Sequence, residues 1–126
     1  MLCVKTKLKT SNISGIGLFA DEDIPKGTII WKFETSIDIL LTKEEIEKLS
    51  DTSQDQVYNY AFLDLDHKKY ILCGDDARFF NHSVDNNCTD EFSNITIALK
   101  DIAKGEELTV DYRKFYGNKD GYEKFQ

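Results

Sequence analysis

The chain has 126 residues, 40% of them hydrophobic and 31% charged, with a formal net charge of −7. This length suits a single domain with a modest core, and the composition excludes a disordered chain. The acidic balance removes the main driving term for DNA or RNA binding; it favours cationic partners, or serves only solubility.

No signal peptide is expected, and residues 1–9 interleave Lys5, Lys7 and Lys9 with apolar residues, which predicts an exposed strand over 2–8. Apolar runs are only a few residues long, so no membrane span is expected and a soluble intracellular protein is the default. Residues 18–20 read as a short strand after a glycine turn, and 23–27 as a turn built on Pro25 and Gly27. The strongest strand signal is 28–40, where Ile29, Trp31, Phe33, Ile37 and Ile39 fall on one face at period two. Thr42 and Glu45 form a capping-box pattern, opening a short helix that ends by Asp51 with Ile46 and Leu49 on one face. A second helical turn is expected before Val57. Strands are predicted at 58–65, 70–73, 88–92 and 94–99, then a turn at Lys104-Gly105 before 108–110. The sum is a mostly β domain of small irregular sheets with one or two short helices.

Cys3, Cys73 and Cys88 are odd in number and show no close pairing, and His67 and His82 are the only histidines. They give no zinc-ligand spacing, so no metal site is expected.

Three segments carry polar groups in patterned order. Ser14-Gly15-Ile16-Gly17-Leu18-Phe19-Ala20 would let backbone approach a ligand closely, though it lacks the third glycine and following helix of a dinucleotide fingerprint. Arg78-Phe79-Phe80-Asn81-His82-Ser83 sets donors and acceptors directly after two aromatics. Lys104-Gly105-Glu106-Glu107-Leu108-Thr109-Val110-Asp111-Tyr112 ends a strand on a tyrosine. Singly, each has a bland reading: a glycine turn, a core histidine with its hydrogen bonds met, a structural tyrosine. The Glu106-Glu107 pair reads as a solvated turn rather than as acid/base catalysts.

Together, in this order, the segments resemble the SET-domain protein-lysine methyltransferases. That family's G-x-G, R-F-x-N-H-S and G-E-E-L-T-x-D-Y motifs stand here at 15–20, 78–83 and 105–112, and Tyr60-Ala61-Phe62 looks like its Y-x-F strand. The resemblance covers most of the chain. It implies a β-clip-like fold of small curved sheets around a pseudoknot, as one domain over 1–126. Its core would run from about 10 to 112, with a short insert at 42–57 and a tail at 113–126.

It also implies roles. Ser14, Gly15, Ile16 and Gly17 would hold the methionine part of S-adenosyl-L-methionine. Asn81 and His82 would bind that cofactor partly through backbone groups, and Phe115 or Tyr116 would cover its adenine. Tyr112 would be the catalytic tyrosine. Tyr60 would line the lysine channel beside it, and Val110 would help set the space for methyl groups. The implied substrate is a lysine-containing protein, a histone tail or another basic protein, and a homodimer is left open. Two departures stand out. Val84 replaces a common cysteine and no cysteine follows Cys88, so a zinc-binding tail is not expected. Valine at 110 stands where Phe or Tyr is common, which leaves room for more than one methylation. The missing cysteine-rich tail also motivates a rival reading, a catalytically weak SET-like module that binds protein or cofactor. A purely structural β domain is a third.

Overall fold

The computed structural model describes residues 1–64, 68–92 and 95–111. Within them the chain builds four small sheets. Strand β1 (Thr6–Thr10) pairs antiparallel with β2 (Ile16–Ala20). Strands β3 (Ile29–Lys32), β8 (Cys88–Phe92) and β9 (Ile95–Ala98) form an antiparallel sheet with β9 in the centre. A third sheet centres β6 (Lys69–Leu72) between β4 (Ile39–Leu41) and β5 (Phe62–Asp64). The fourth is a parallel pair, β7 (Asn81–His82) with β10 (Thr109–Val110).

Apolar residues from distant parts of the chain close the core. Leu18, Ala20, Ile24, Ile30, Cys88, Ala98, Ile102, Leu108 and Val110 form one buried cluster. Trp31, Ile71, Cys73 and Ala77 form a second, flanked by Phe33 and Phe62. The Trp31 ring is buried and meets Phe33 and Phe62 edge-on at 6.4 and 6.0 Å. Truncating such an aromatic to alanine costs about 3–5 kcal/mol, since transfer and cavity terms add.

The first helix follows the capping-box reading. In α1 (Lys43–Glu47) the Glu45 amide donates to Thr42 Oγ1 at 3.1 Å, and the Thr42 amide donates to Glu45 Oε1 at 3.0 Å. Ile46 is buried, whereas Leu49 stays exposed.

Three expected elements differ from the structure. The strand expected at 2–8 is shifted: β1 begins at Thr6, and Leu2 instead bridges to Trp31. The continuous strand expected over 28–40 is broken. The amides of Ile37 and Asp38 both donate to the Glu34 carbonyl, turning the chain between β3 and β4. The Asp38 side chain holds this turn, accepting from the Glu34 amide at 2.9 Å and the Gly74 amide at 3.2 Å. A buried carboxylate needs such donors, and that requirement overrode the period-two pattern. Trp31 alone of the five predicted face residues is fully buried; Ile29, Ile37 and Ile39 are exposed. Gly74 has no space for a side chain, because a Cβ would overlap the Ile37 carbonyl.

The strand expected at 58–65 is the third. Helix α2 (Asp51–Tyr60) occupies its first half, and only β5 is strand. Ser50 caps α2, accepting from the Ser53 amide at 3.2 Å. Val57 and Ala61, one helical turn apart, pack with Ile46 in a third cluster. That burial outweighed the strand preference of the tyrosines.

Candidate functional site

The site begins where β10 lies beside β7. Thr109 is opposite Asn81 and Val110 opposite His82. The Ser83 amide donates to the Val110 carbonyl at 3.0 Å. Asn87 stitches the same two segments together: its Nδ2 donates to the Glu107 carbonyl at 2.8 Å, and its Oδ1 accepts from the Thr109 amide at 2.9 Å. The third motif also runs along the first. The Leu108 amide donates to the Leu18 carbonyl at 2.7 Å, and the Ala20 amide to the Glu106 carbonyl at 2.9 Å. The three motifs are therefore neighbours in space through backbone bonds alone.

Side chains tighten the junction. Gly15 has a φ of 46°, in the left-handed region that glycine enters without strain, and the Ser11 amide closes the loop by donating to the Gly15 carbonyl at 2.8 Å. Asn81 reaches into this loop. Its Nδ2 lies 3.1 Å from the Ser14 carbonyl, 3.4 Å from the Ile16 carbonyl and 2.8 Å from Glu107 Oε2. Gly17 backs onto the same carboxylate, where a Cβ would stand 2.5 Å from Glu107 Oε2. Ser14, Gly15 and Ile16 are exposed at the surface of this junction.

His82 is partly buried, with Nδ1 3.7 Å from Oδ1 of the buried Asp111. Val110 is 3% exposed and belongs to the main core cluster. Tyr60 ends α2, not a strand. Its ring meets Phe79 edge-on at 5.8 Å, and the Arg78 guanidinium lies 5.2 Å from its centroid. Arg78 is itself fixed by donating from Nε and Nη2 to the Cys73 carbonyl at 3.3 and 2.9 Å. The R-F pair that precedes Asn81-His82 thus holds the Tyr60 ring.

The structure brings together Ser14, Gly15, Ile16, Gly17 and Asn81 directly, and sets His82 against Val110. Tyr112, Phe115 and Tyr116 lie outside the described residues, as do Tyr122 and Phe125, the other aromatics of the 113–126 tail. Two residues were not singled out from sequence. Asn87 was given no role; the only signal was a carboxamide able to satisfy two segments at once. Glu107 was read as solvated, yet it is half-buried and accepts from Asn81 and Ser11.

The exposed loop is flanked by acceptors: the Ser14 and Ile16 carbonyls and the Glu107 carboxylate, with Asp111 beside His82. The loop carbonyls and the Glu107 carboxylate already accept from Asn81 and Ser11, yet together these groups leave the local field negative, which suits a small ligand carrying positive charge. Among the described residues no group of His, Cys, Asp and Glu could hold a metal ion, and no helix is long and apolar enough to cross a membrane.

Comparison with known proteins agrees with the motif order. The family model described as "SET domain" matches residues 15–113. The chain is 31% identical over 113 residues to human "Histone-lysine N-methyltransferase 2D", covering 84% of this chain and 2% of that protein. It is 30% identical over 109 residues to "Histone-lysine N-methyltransferase, H3 lysine-36 specific" of Schizosaccharomyces pombe, covering 78% of this chain and 13% of that one. A humanized mutant of the Chaetomium thermophilum Polycomb Repressive Complex 2 superposes with a TM-score of 0.66 at 25% identity, over 91% of this chain and 16% of that one. The chain thus spans a small part of the curated relatives it matches. With the SET-domain match over most of its length and all three motifs joined at one junction, the chain belongs to the SET-domain family.

Proposed function

We propose that this chain is an S-adenosyl-L-methionine-dependent protein-lysine N-methyltransferase acting on a basic protein, with a histone tail as the first substrate to try. The observation that carries the reading is the Asn81 carboxamide, which links the G-x-G loop to Glu107 of the third motif. The names of the relatives, histone-lysine N-methyltransferases, support the substrate class.

The acceptor-rich loop fits the cofactor, whose amino group and sulfonium are both cationic. Ser14, Gly15, Ile16 and Gly17 would hold its methionine part, Asn81 and His82 would add backbone contacts, and Phe115 or Tyr116 would cover the adenine. When bound, the cofactor supplies a methyl group activated for displacement by its sulfonium. The residues of the chain do the rest by alignment, which can supply much of such a barrier. Tyr60, held by Phe79 and Arg78, would line the passage for the lysine stem. The lysine must arrive neutral, although its ordinary pKa is about 10.4. A dry passage disfavours the ammonium form. The Tyr112 hydroxyl would orient the amine. Valine at 110 supports more than one methylation per lysine. The insert at 42–57 would shape substrate choice, and the tail at 113–126, lacking cysteine, would close the site through aromatic residues.

The test is incubation of the purified chain with methyl-labelled cofactor and a basic protein mixture, read by mass spectrometry. Label on lysine is expected. Cofactor binding without any transfer would replace this reading with the catalytically weak binding module. A homodimer would be read from the solution mass of the same sample.

A further inference from the structure

We propose that Glu107 is a positioning residue, which with Ser11 holds the G-x-G loop in its cofactor-ready shape before any ligand arrives. The inference rests on the cofactor-loop reading above and adds a residue to it.

The geometry is a two-ended brace. One carboxylate oxygen, Oε1, accepts from the Ser11 hydroxyl at 2.7 Å; the other, Oε2, accepts from Asn81 Nδ2 at 2.8 Å. Ser11 stands at the entry of the loop, and its Oγ accepts from the Ile13 amide at 2.9 Å and, more distantly, the Ser14 amide at 3.4 Å. Asn81 stands at the exit and grips the Ser14 and Ile16 carbonyls. Among the described residues, these side-chain bonds to the loop all lead back to one carboxylate. Glu107 is itself fixed by a backbone bridge to Phe19 of β2. Gly17 leaves the space that the carboxylate fills. Both oxygens of Glu107 already face protein donors, so its role is to set the loop. Ordering a loop beforehand removes that cost from ligand binding.

The chemistry predicts a specific pattern among variants. Glu107→Ala removes both ends of the brace. Glu107→Gln keeps it, since its carbonyl oxygen can accept from Asn81 and its amide can donate to the Ser11 hydroxyl oxygen. Two measurements decide. Hydrogen exchange at the amides of residues 11–17 in the ligand-free protein reports loop order directly. Calorimetry with S-adenosyl-L-methionine reports affinity, with the melting temperature as a control for global folding.

The expected result is at least tenfold faster exchange at the Ser11 and Ile13 amides in Glu107→Ala, with near wild-type rates in Glu107→Gln. Cofactor affinity should fall about tenfold or more in Glu107→Ala and less than threefold in Glu107→Gln. Ser11→Ala combined with Glu107→Ala should lose less than the sum of the two single changes, because both cut one brace. Unchanged loop exchange in Glu107→Ala would overturn the proposal, as would a Glu107→Gln variant as impaired as Glu107→Ala. If wild-type protein bound no cofactor, the enzymatic reading would fall, while the exchange data alone would still decide the brace.

Discussion

Val110 lies directly opposite His82 in a parallel strand pair, and the Ser83 amide next to His82 donates to the Val110 carbonyl at 3.0 Å. This pairing sets the end of the third motif against the second. Asp111 follows at once, with its carboxylate 3.7 Å from the His82 ring. Whatever Tyr112 does, the residues that deliver it are anchored to the segment proposed to bind the cofactor.

Asn87 is the buried link in that anchoring. Asn87→Ala would strip partners from the Glu107 carbonyl and the Thr109 amide, which Asn87 now satisfies. Leaving a buried backbone group such as the Thr109 amide unpaired costs about 1–3 kcal/mol. Thermal denaturation should show a melting temperature lowered by several degrees, and cofactor affinity should weaken in step. A variant as stable as the wild type would mean that water or another side chain satisfies those groups.

Asp38 makes a prediction confined to folding. Asp38→Ala would release the turn between β3 and β4 and leave the Glu34 and Gly74 amides without their carboxylate. A loss of roughly 2–3 kcal/mol is expected in urea denaturation, because hydrogen bonds to a charged acceptor are stronger than neutral ones. Cofactor affinity of the folded fraction should stay near wild type.

Much of this architecture was readable in the amino-acid order, and the failures share one cause. The capping box of α1 was legible because Thr42 and Glu45 act locally. The motif segments were legible because their residue types are unusual and ordered. The break after Lys32 was hidden because it depends on Asp38 finding Gly74 across the chain. Likewise α2 was hidden beyond Val57, since only packing against Ile46 decides between helix and strand for a tyrosine-rich stretch. At the site, Asn81 was found by pattern, whereas Glu107 and Asn87 acquire their roles only from partners distant in sequence.

Acid should loosen the start of α1. The Thr42 amide, and then its hydroxyl, hold the Glu45 carboxyl below its ordinary value of 4.5. A lowered folded-state pKa means that the box stabilises the helix start above the ordinary value and stops doing so as pH falls through the lowered one. An NMR titration should place the Glu45 midpoint below 4.5 and show the Thr42 and Glu45 amide shifts moving with it. A midpoint at or above the ordinary value would refute the bond in solution.

Val110 is buried in the main core cluster and is the residue proposed to set the space for methyl groups. We expect the wild-type chain to add more than one methyl to a lysine, read as mass increments on a peptide. Val110→Phe should shift product toward monomethyl, and it should also destabilise the chain by about 1–3 kcal/mol, because position 110 lies in the closed core. Strictly monomethylated product from the wild type would contradict the assignment.

The catalytic role of Tyr112 is tested most directly by methyl transfer from Tyr112→Phe beside the wild type, with cofactor affinity measured on the same samples. Labelled lysine is expected from the wild type, and a loss on the order of a hundredfold in turnover from the variant, typical of removing one aligned hydroxyl, with affinity nearly unchanged. Full activity in Tyr112→Phe would contradict the catalytic assignment, and no transfer from a wild type that binds cofactor would contradict the enzyme itself.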